Sequence, residues 1–252
     1  MEFTDRVVLI TGGSRGIGRA TALAFAERGA TVVVNFRSDA EAARATTGQL
    51  EGQGHLAIRA DVSDPEAAAA LIETVVASLG RLDILVNNAG NYRLHPLATT
   101  GYADWQLAWQ HTLQTNLFAC AHLSYHAARH MIQRGEGGRI LNVSSRGAYR
   151  GEPDAPAYAA SKAGLNALTQ SLARDLAPYQ IGVAAVAPGF VATDMARPHL
   201  EGEGGETIRA QSPFNRVAAP EEVAAALCFL ASDRALFSSG TIIDVNGASY
   251  LR

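Results

Sequence analysis

The chain has 252 residues, 48% of them hydrophobic and 18% charged, which is enough apolar material for a full core and too much for a disordered chain. Its 21 basic and 24 acidic residues are interspersed, and a net charge of −3 leaves no electrostatic footprint for a nucleic-acid backbone. No apolar run approaches the roughly 18 residues of a membrane span, and Met1 to Ile10 lacks the features of a signal peptide. Neither nucleic acid nor membrane is an expected partner, and a cytoplasmic location is expected.

In chain order, Arg6 to Ile10 is a short apolar run followed by a glycine turn and a helical pattern from Gly16 to Arg28. Thr31 to Val34 leads into a helix over Ala42 to Leu50. His55 to Ile58 leads through Asp64-Pro65, a cap with proline behind it, into Glu66 to Leu79. Asp83 to Val86, Arg139 to Val143, Gly182 to Ala187 and Thr241 to Val245 complete seven strands. The strands and intervening helices predict a single α/β domain over residues 1–252, a doubly wound parallel sheet with helices on both faces. Asp194 to Asn215 contains Gly202, Gly204, Gly205 and Pro213 with little periodicity, which predicts a mobile loop with short helical pieces. Cys120 and Cys228 lie in apolar surroundings without metal-ligand spacing, so buried thiols in a reducing compartment, and no metal site, are expected. Asn142-Val143-Ser144 matches a glycosylation acceptor but sits inside a strand.

Thr11-Gly12-Gly13-Ser14-Arg15-Gly16-Ile17-Gly18 lies between the first strand and the first helix, where an open parallel sheet accepts a phosphate group. Gly12, Gly16 and Gly18 leave room for a pyrophosphate to reach backbone amides. After the second strand the chain reads Asn35-Phe36-Arg37, with no carboxylate before Asp39 to hold the ribose of NAD. Arg37, with Arg15, suits a 2′-phosphate, and the cofactor expected is NADP(H).

Tyr158 and Lys162 are four apart on one face of a helix running from Ala157 to Ala177. A cation beside a phenol lowers its pKa from near 10, which would make Tyr158 a general acid for a developing alkoxide. Ser144 and Ser145 both end the Arg139 to Val143 strand, where a hydroxyl could hold a substrate carbonyl. Asn87-Asn88-Ala89-Gly90 ends another strand on the same side, and Asn116 interrupts an apolar helix pattern.

The chain closely resembles the short-chain dehydrogenase/reductase family through TGGSRGIG at 11–18, DV at 61–62, NNAG at 87–90, Asn116, Ser145, YAASK at 158–162, PG at 188–189 and DVNG at 244–247. The resemblance implies a Rossmann fold and selects Ser145 over Ser144. It makes Tyr158 the acid/base, Ser145 the group that polarises the carbonyl, Lys162 the residue that tunes Tyr158 and binds ribose, and Asn116 the holder of a water. By the same resemblance the cofactor would be lined by Gly12, Ser14, Arg15, Gly16, Ile17, Gly18, Arg37, Asp61, Val62, Asn88, Ala89, Gly90, Tyr158, Lys162, Pro188, Gly189, Val191 and Thr193. It also implies a substrate lid after Thr193, placed at 194–215. A homotetramer would be built on Ala108 to Gln133, Tyr158 to Ala177 and Ile242 to Arg252.

Within the family the pattern is most similar to bacterial 3-oxoacyl-acyl carrier protein reductases, notably in TGGSRGIGRA and PGFVATDM. The resemblance implies NADPH-dependent reduction of a ketone or 3-oxoacyl thioester, with acyl carrier protein as a candidate partner beside a small-molecule substrate. Carrier-protein reductases place basic residues where Glu136 and Tyr179 stand here, although Arg134, Arg139 and Arg174 are near in sequence. The expected pocket walls, Tyr92, Arg93, His95, Arg146, Tyr149, Glu152 and Phe190, are polar for a long acyl chain and suit a smaller or hydroxylated substrate. The rival readings are an NAD(P)-dependent alcohol, sugar or steroid dehydrogenase and a catalytically silent nucleotide-binding scaffold. The intact trio of Ser145, Tyr158 and Lys162 stands against the last.

Overall fold

The structure, a computed structural model, describes residues 1–202 and 204–252. Its strands are β1 (Val7–Ile10), β2 (Thr31–Phe36), β3 (Leu56–Arg59), β4 (Ile84–Asn87), β5 (Gly138–Val143), β6 (Ile181–Pro188) and β7 (Ile242–Val245). They form one sheet in the order β3-β2-β1-β4-β5-β6-β7 with every neighbouring pair parallel, so the predicted doubly wound Rossmann architecture is present. Val8, Ile10, Val32 and Val34 point to one face with α1 (Gly16–Ala26), α2 (Ala40–Thr47) and α10 (Pro220–Ala231). Val7, Leu9, Val33 and Leu85 point to the other, against α3 (Pro65–Leu79), α5 (Ala119–Arg134) and α7 (Pro156–Leu176). This alternation is the period of two of a strand buried on both sides. Both cysteines are free and buried, and Asn142 is wholly buried in β5. Among the described residues no helix is long and apolar enough to cross a membrane.

Two elements differ from expectation. The second helix begins at Ala40 rather than Ala42 because Asp39 accepts from the Ala42 amide at 2.9 Å and caps it two residues early. The continuous helix expected over Ala108 to Gln133 is instead α4 (Tyr102–Leu113) and α5, joined by a π-helical turn, Gln114–Phe118. The stretch 194–215 does carry short helical pieces, α8 (Arg197–Glu201) and α9 (Gly205–Ala210), while Glu203 within it lies outside the described residues.

A charge network ties the amino ends of the central strands together. Asp83, buried just before β4, accepts from the Val7 amide at 2.8 Å and from Arg81 at 2.8 Å on each oxygen. It also pairs with Arg134 at 2.9 Å and Arg6 at 3.5 Å. Burial alone would raise the Asp83 carboxyl, but Arg81, the Val7 amide and Arg134 outweigh it and hold the group below the usual carboxylate range. Its contribution to stability is therefore complete above the ordinary carboxylate pKa near 4 and is lost as the pH falls through the lower folded value. Replacing Asp83 by Asn should cost about 3 kcal/mol in urea unfolding at neutral pH, because it strands the arginines. The variant should also lose less stability than the parent below about pH 4. An unchanged urea midpoint would show that the network contributes nothing net.

Candidate functional site

The carboxyl ends of β1 and β4 are neighbours, and the chain leaves them toward opposite faces, α1 on one and α5 on the other. A crevice opens between them, and side chains fasten its walls. Thr11 Oγ1 donates to the Val86 carbonyl at 3.3 Å and accepts from the Asn88 and Ala89 amides at 3.0 Å each. Asn88 Nδ2 donates back to the carbonyls of Thr11 at 2.8 Å and Gly12 at 3.1 Å. The turn can follow this path only as glycine. Gly12 has φ +61°, and a Cβ on Gly18 would lie 2.3 Å from the Gly12 carbonyl oxygen and 2.6 Å from Asn88 Nδ2. Gly16 abuts Thr193, whose Cγ2 would be 3.1 Å from an added Cβ, so the turn touches the start of the 194–215 stretch.

At the adenosine end, Arg15 and Arg37 are both exposed, and neither has an ion-pair partner among the described residues. Asp39, the first carboxylate after β2, is occupied in capping α2. Arg59, which the sequence reading did not single out, pairs in register with Phe36 and donates through Nε to the Arg37 carbonyl at 3.1 Å, adding a third cation at this edge. Asp61 is exposed and accepts from the Ser63 amide at 3.1 Å and hydroxyl at 2.6 Å, and Val62 is buried. Asn87, by contrast, is wholly turned inward. It donates to Asn142 Oδ1 at 2.9 Å and Ser124 Oγ at 3.2 Å, and Asn142 donates to Thr169 at 2.8 Å.

At the reacting end the two candidate serines separate. Ser144 is buried and donates to Asn166 Oδ1 at 2.6 Å, whereas Ser145 Oγ accepts from the Gly147 amide at 3.0 Å and lies beside the Tyr158 phenol. Lys162 is buried and donates to the Val143 carbonyl at 2.7 Å, with Nζ 5.8 Å from the centre of the Tyr158 ring. Burial pushes the phenol up from its ordinary value, and the Ser145 hydroxyl works in the opposite sense. Burial also pushes the Lys162 ammonium down, since its partner is a neutral carbonyl. Asn116, in the π turn, is fully buried. Its Oδ1 accepts from the Asn91 amide at 2.9 Å, and its Nδ2 donates to the Asn91 carbonyl at 3.0 Å and Ser161 Oγ at 3.2 Å. An added Cβ on Gly90 would lie 3.3 Å from Asn116 Oδ1 and 3.8 Å from Lys162 Nζ, so the two groups share one face of the crevice.

The ring of Tyr92 meets Tyr158 edge to face at 5.0 Å and touches His199 of α8 at 6.2 Å, which brings the 194–215 stretch over the site. Burial, with Glu152 nearby, pushes the Tyr92 phenol up to about 12, so it stays neutral. His95, expected in the pocket wall, is instead buried against Trp105 with ring centres 5.2 Å apart. Its Nδ1 lies 2.8 Å from the Arg93 carbonyl and must donate there, so Nε2 is the acceptor for the Ala157 amide at 3.3 Å. Helix α7 has no side-chain cap of its own, and His95 supplies one from 62 residues away, one residue before Tyr158. The motif-poor segment around His95 gave no signal of this. His95→Leu should cost about 1–2 kcal/mol of stability and lower kcat, while His95→Gln, which keeps an acceptor and a donor, should recover most of both. Equal behaviour of the two variants in urea unfolding and steady-state kinetics would reject the capping role.

Comparison with known proteins agrees with this geometry. A family model described as enoyl-(acyl carrier protein) reductase matches residues 12–248. The cis-4-hydroxycyclohexanecarboxylate dehydrogenase of Sinomonas cyclohexanicum is 41% identical, covering 97% of this chain and 96% of its own. The 3-oxoacyl-[acyl-carrier-protein] reductase of Escherichia coli (strain K12) is 38% identical over 100% of both. A Burkholderia cenocepacia J2315 short chain dehydrogenase, solved in complex with NADP, superposes with a TM-score of 0.90 at 37% identity, covering 99% of each chain. With the crevice, the glycine turn and the serine, tyrosine and lysine in place, the chain belongs to the short-chain dehydrogenase/reductase family of oxidoreductases.

Proposed function

We propose that the protein is an NADP(H)-dependent oxidoreductase that interconverts a ketone or 3-oxoacyl thioester with the corresponding secondary alcohol. The observation that carries the reading is the meeting of the Ser145 hydroxyl, the Tyr158 phenol and the buried Lys162 ammonium at the carboxyl end of β5, beside the crevice. A dinucleotide suits that crevice: glycines keep side chains out of the turn, the first-turn amides of α1 have no helical partner, and Arg15 and Arg37, without ion-pair partners among the described residues, are exposed toward the edge where a 2′-phosphate would lie. Gly12, Ser14, Gly16 and Ile17 would hold the pyrophosphate, Asp61 and Val62 the adenine, Asn88 to Gly90 the middle, and Pro188, Gly189, Val191 and Thr193 the nicotinamide end. When bound, the nicotinamide supplies the hydride for the carbonyl carbon.

The chain's own residues do the rest. Ser145 Oγ and the Tyr158 hydroxyl donate to the carbonyl oxygen, and Tyr158 releases its proton to that oxygen as negative charge develops. The raised pKa keeps the phenol protonated at neutral pH, ready to donate. Lys162 stabilises the phenolate left behind, and Asn116, whose Oδ1 retains a lone pair near Lys162, holds a water that returns the proton. Stretch 194–215 serves as the lid. The assembly proposed is a homotetramer. Exposed Leu107, Phe118 and Tyr125 on α4, the π turn and α5, and exposed Phe237 and Leu251 toward the C-terminus, supply apolar faces for it.

A small ketone is favoured over a carrier-bound acyl chain. Glu136 pairs with Arg81 and Arg134, and Arg134 and Arg139 are spent on the network at the opposite end of the sheet, leaving only Arg174 of the three nearby arginines exposed. The name of the Sinomonas relative supports an alcohol-oxidising direction on a ring substrate as the second reading.

Tyr158→Phe should lower kcat by a factor of roughly 10² to 10⁴ and leave the NADPH dissociation constant unchanged, measured by fluorescence titration. Joint loss of turnover and cofactor binding would reassign Tyr158 to structure. Arg37→Ala should raise KM for NADPH roughly 10- to 100-fold with little change for NADH. A parent enzyme that prefers NADH would overturn the cofactor assignment.

A further inference from the structure

Resting on the ketone–alcohol reading above, we propose that the substrate carries a carboxylate and that Arg146, the residue after Ser145, binds it.

Arg146 is 3% exposed and follows Ser145 in the chain, and its amide donates to the Pro188 carbonyl at 2.9 Å, which holds its backbone between the ends of β5 and β6. Its guanidinium lies 5.3 Å from the centre of the Phe190 ring and donates to two neutral oxygens, Gln211 Oε1 from the 194–215 stretch and Ser249 Oγ from the C-terminal segment. No carboxylate lies within ion-pair distance of it among the described residues. The other strongly buried arginines are paired: Arg134 with Asp83 at 2.9 Å and Arg139 with Asp233 at 3.3 Å. Among the described residues, Arg146 alone of the three has no carboxylate within ion-pair distance.

A buried cation on neutral acceptors carries a desolvation cost that an anion in bidentate geometry would offset. Burial depresses the guanidinium, Arg150 adds to that effect, and Glu152 is the one acidic group that opposes it. Both present partners are replaceable, because a glutamine amide and a serine hydroxyl can turn to other groups as a carboxylate enters. The reacting carbonyl sits on Ser145 and Tyr158, so the carboxylate would be offset from it by about the reach of one arginine side chain, a separation that a small ring or short chain spans.

The test compares 4-oxocyclohexanecarboxylate with its uncharged carboxamide, each reduced with NADPH. The parent enzyme should favour the acid roughly 10- to 100-fold in kcat/KM, expressed in KM, and Arg146→Gln should bring the acid-to-amide ratio to about one. Equal use of acid and amide by the parent, or an acid preference that survives Arg146→Gln, would overturn the assignment while leaving the reductase reading intact. If Arg146→Gln does not fold, Arg146→Lys, which keeps the charge but not the fork, should shrink the ratio without abolishing it, and a ratio unchanged from the parent would count against the assignment. If no ketone, charged or neutral, is reduced, the reductase reading fails. Equilibrium dialysis with cyclohexanecarboxylate then decides the anion site: saturable binding by the parent that is lost in the Arg146 variant supports it, and no binding overturns it.

Discussion

Everything at the site depends on how the gap between β1 and β4 is closed without being filled. Two adjacent parallel strands whose chains depart to opposite faces leave turn amides and carbonyls without ladder partners, and such groups cannot be buried unpaired. Thr11 and Asn88 resolve this with five hydrogen bonds between the two turns. Their side chains occupy the floor of the gap, so its mouth stays open. The glycines follow from the same constraint: at Gly18, the Gly12 carbonyl and the Asn88 amide already occupy the space a side chain would need. The adenosine and reacting ends are thus held on two walls whose separation is set by one threonine and one asparagine.

The serine, tyrosine and lysine end is built on a polar interior. Asn87, Asn142, Ser124 and Thr169 form a buried chain of hydrogen bonds running from β4 through β5 to α7, and Ser144 adds Asn166. Each bond is worth little net, but each group would be costly unpaired, so the set fixes the register of α7 on the sheet more than it stabilises the fold. His95 then fixes the first turn of the same helix. Tyr158 and Lys162 inherit their positions from this scaffold. Burial pushes the Tyr158 phenol up and the Lys162 ammonium down from their ordinary values.

Most of the sheet was legible because buried parallel strands are short β-branched runs, and because Asp64-Pro65 and the glycine turn mark their neighbours unambiguously. Local capping was partly hidden: Asp39 starts α2 two residues before the apolar period does. The π turn at Asn116 was not legible, since a helical period reads through one widened turn without interruption. Ser145 and Ser144 could not be separated by chemistry alone. Consecutive residues leaving a strand face opposite ways, and only the packing of α7 decides which faces the cleft. The role of His95, and the pairing of Arg134 and Arg139 with Asp83 and Asp233, depend on contacts between distant segments and leave no local pattern.

The arginines show why distance in sequence misleads about function. Arg134 and Arg139 lie near Glu136 in sequence, yet both are paired at the amino ends of the central strands, with Asp83 and Asp233. Arg15 and Arg37 have no ion-pair partner among the described residues and are exposed, so solvent screens their charge. Arg146 has none among the described residues either, but it is buried and solvent screens it far less. A guanidinium can be tolerated in each of these three states, but the cost differs sharply: small when paired, small when hydrated, and several kcal/mol when neither. Retaining the third state next to Ser145 carries that cost unless an anion supplies the missing charge, which is why Arg146 is the arginine the anion proposal rests on.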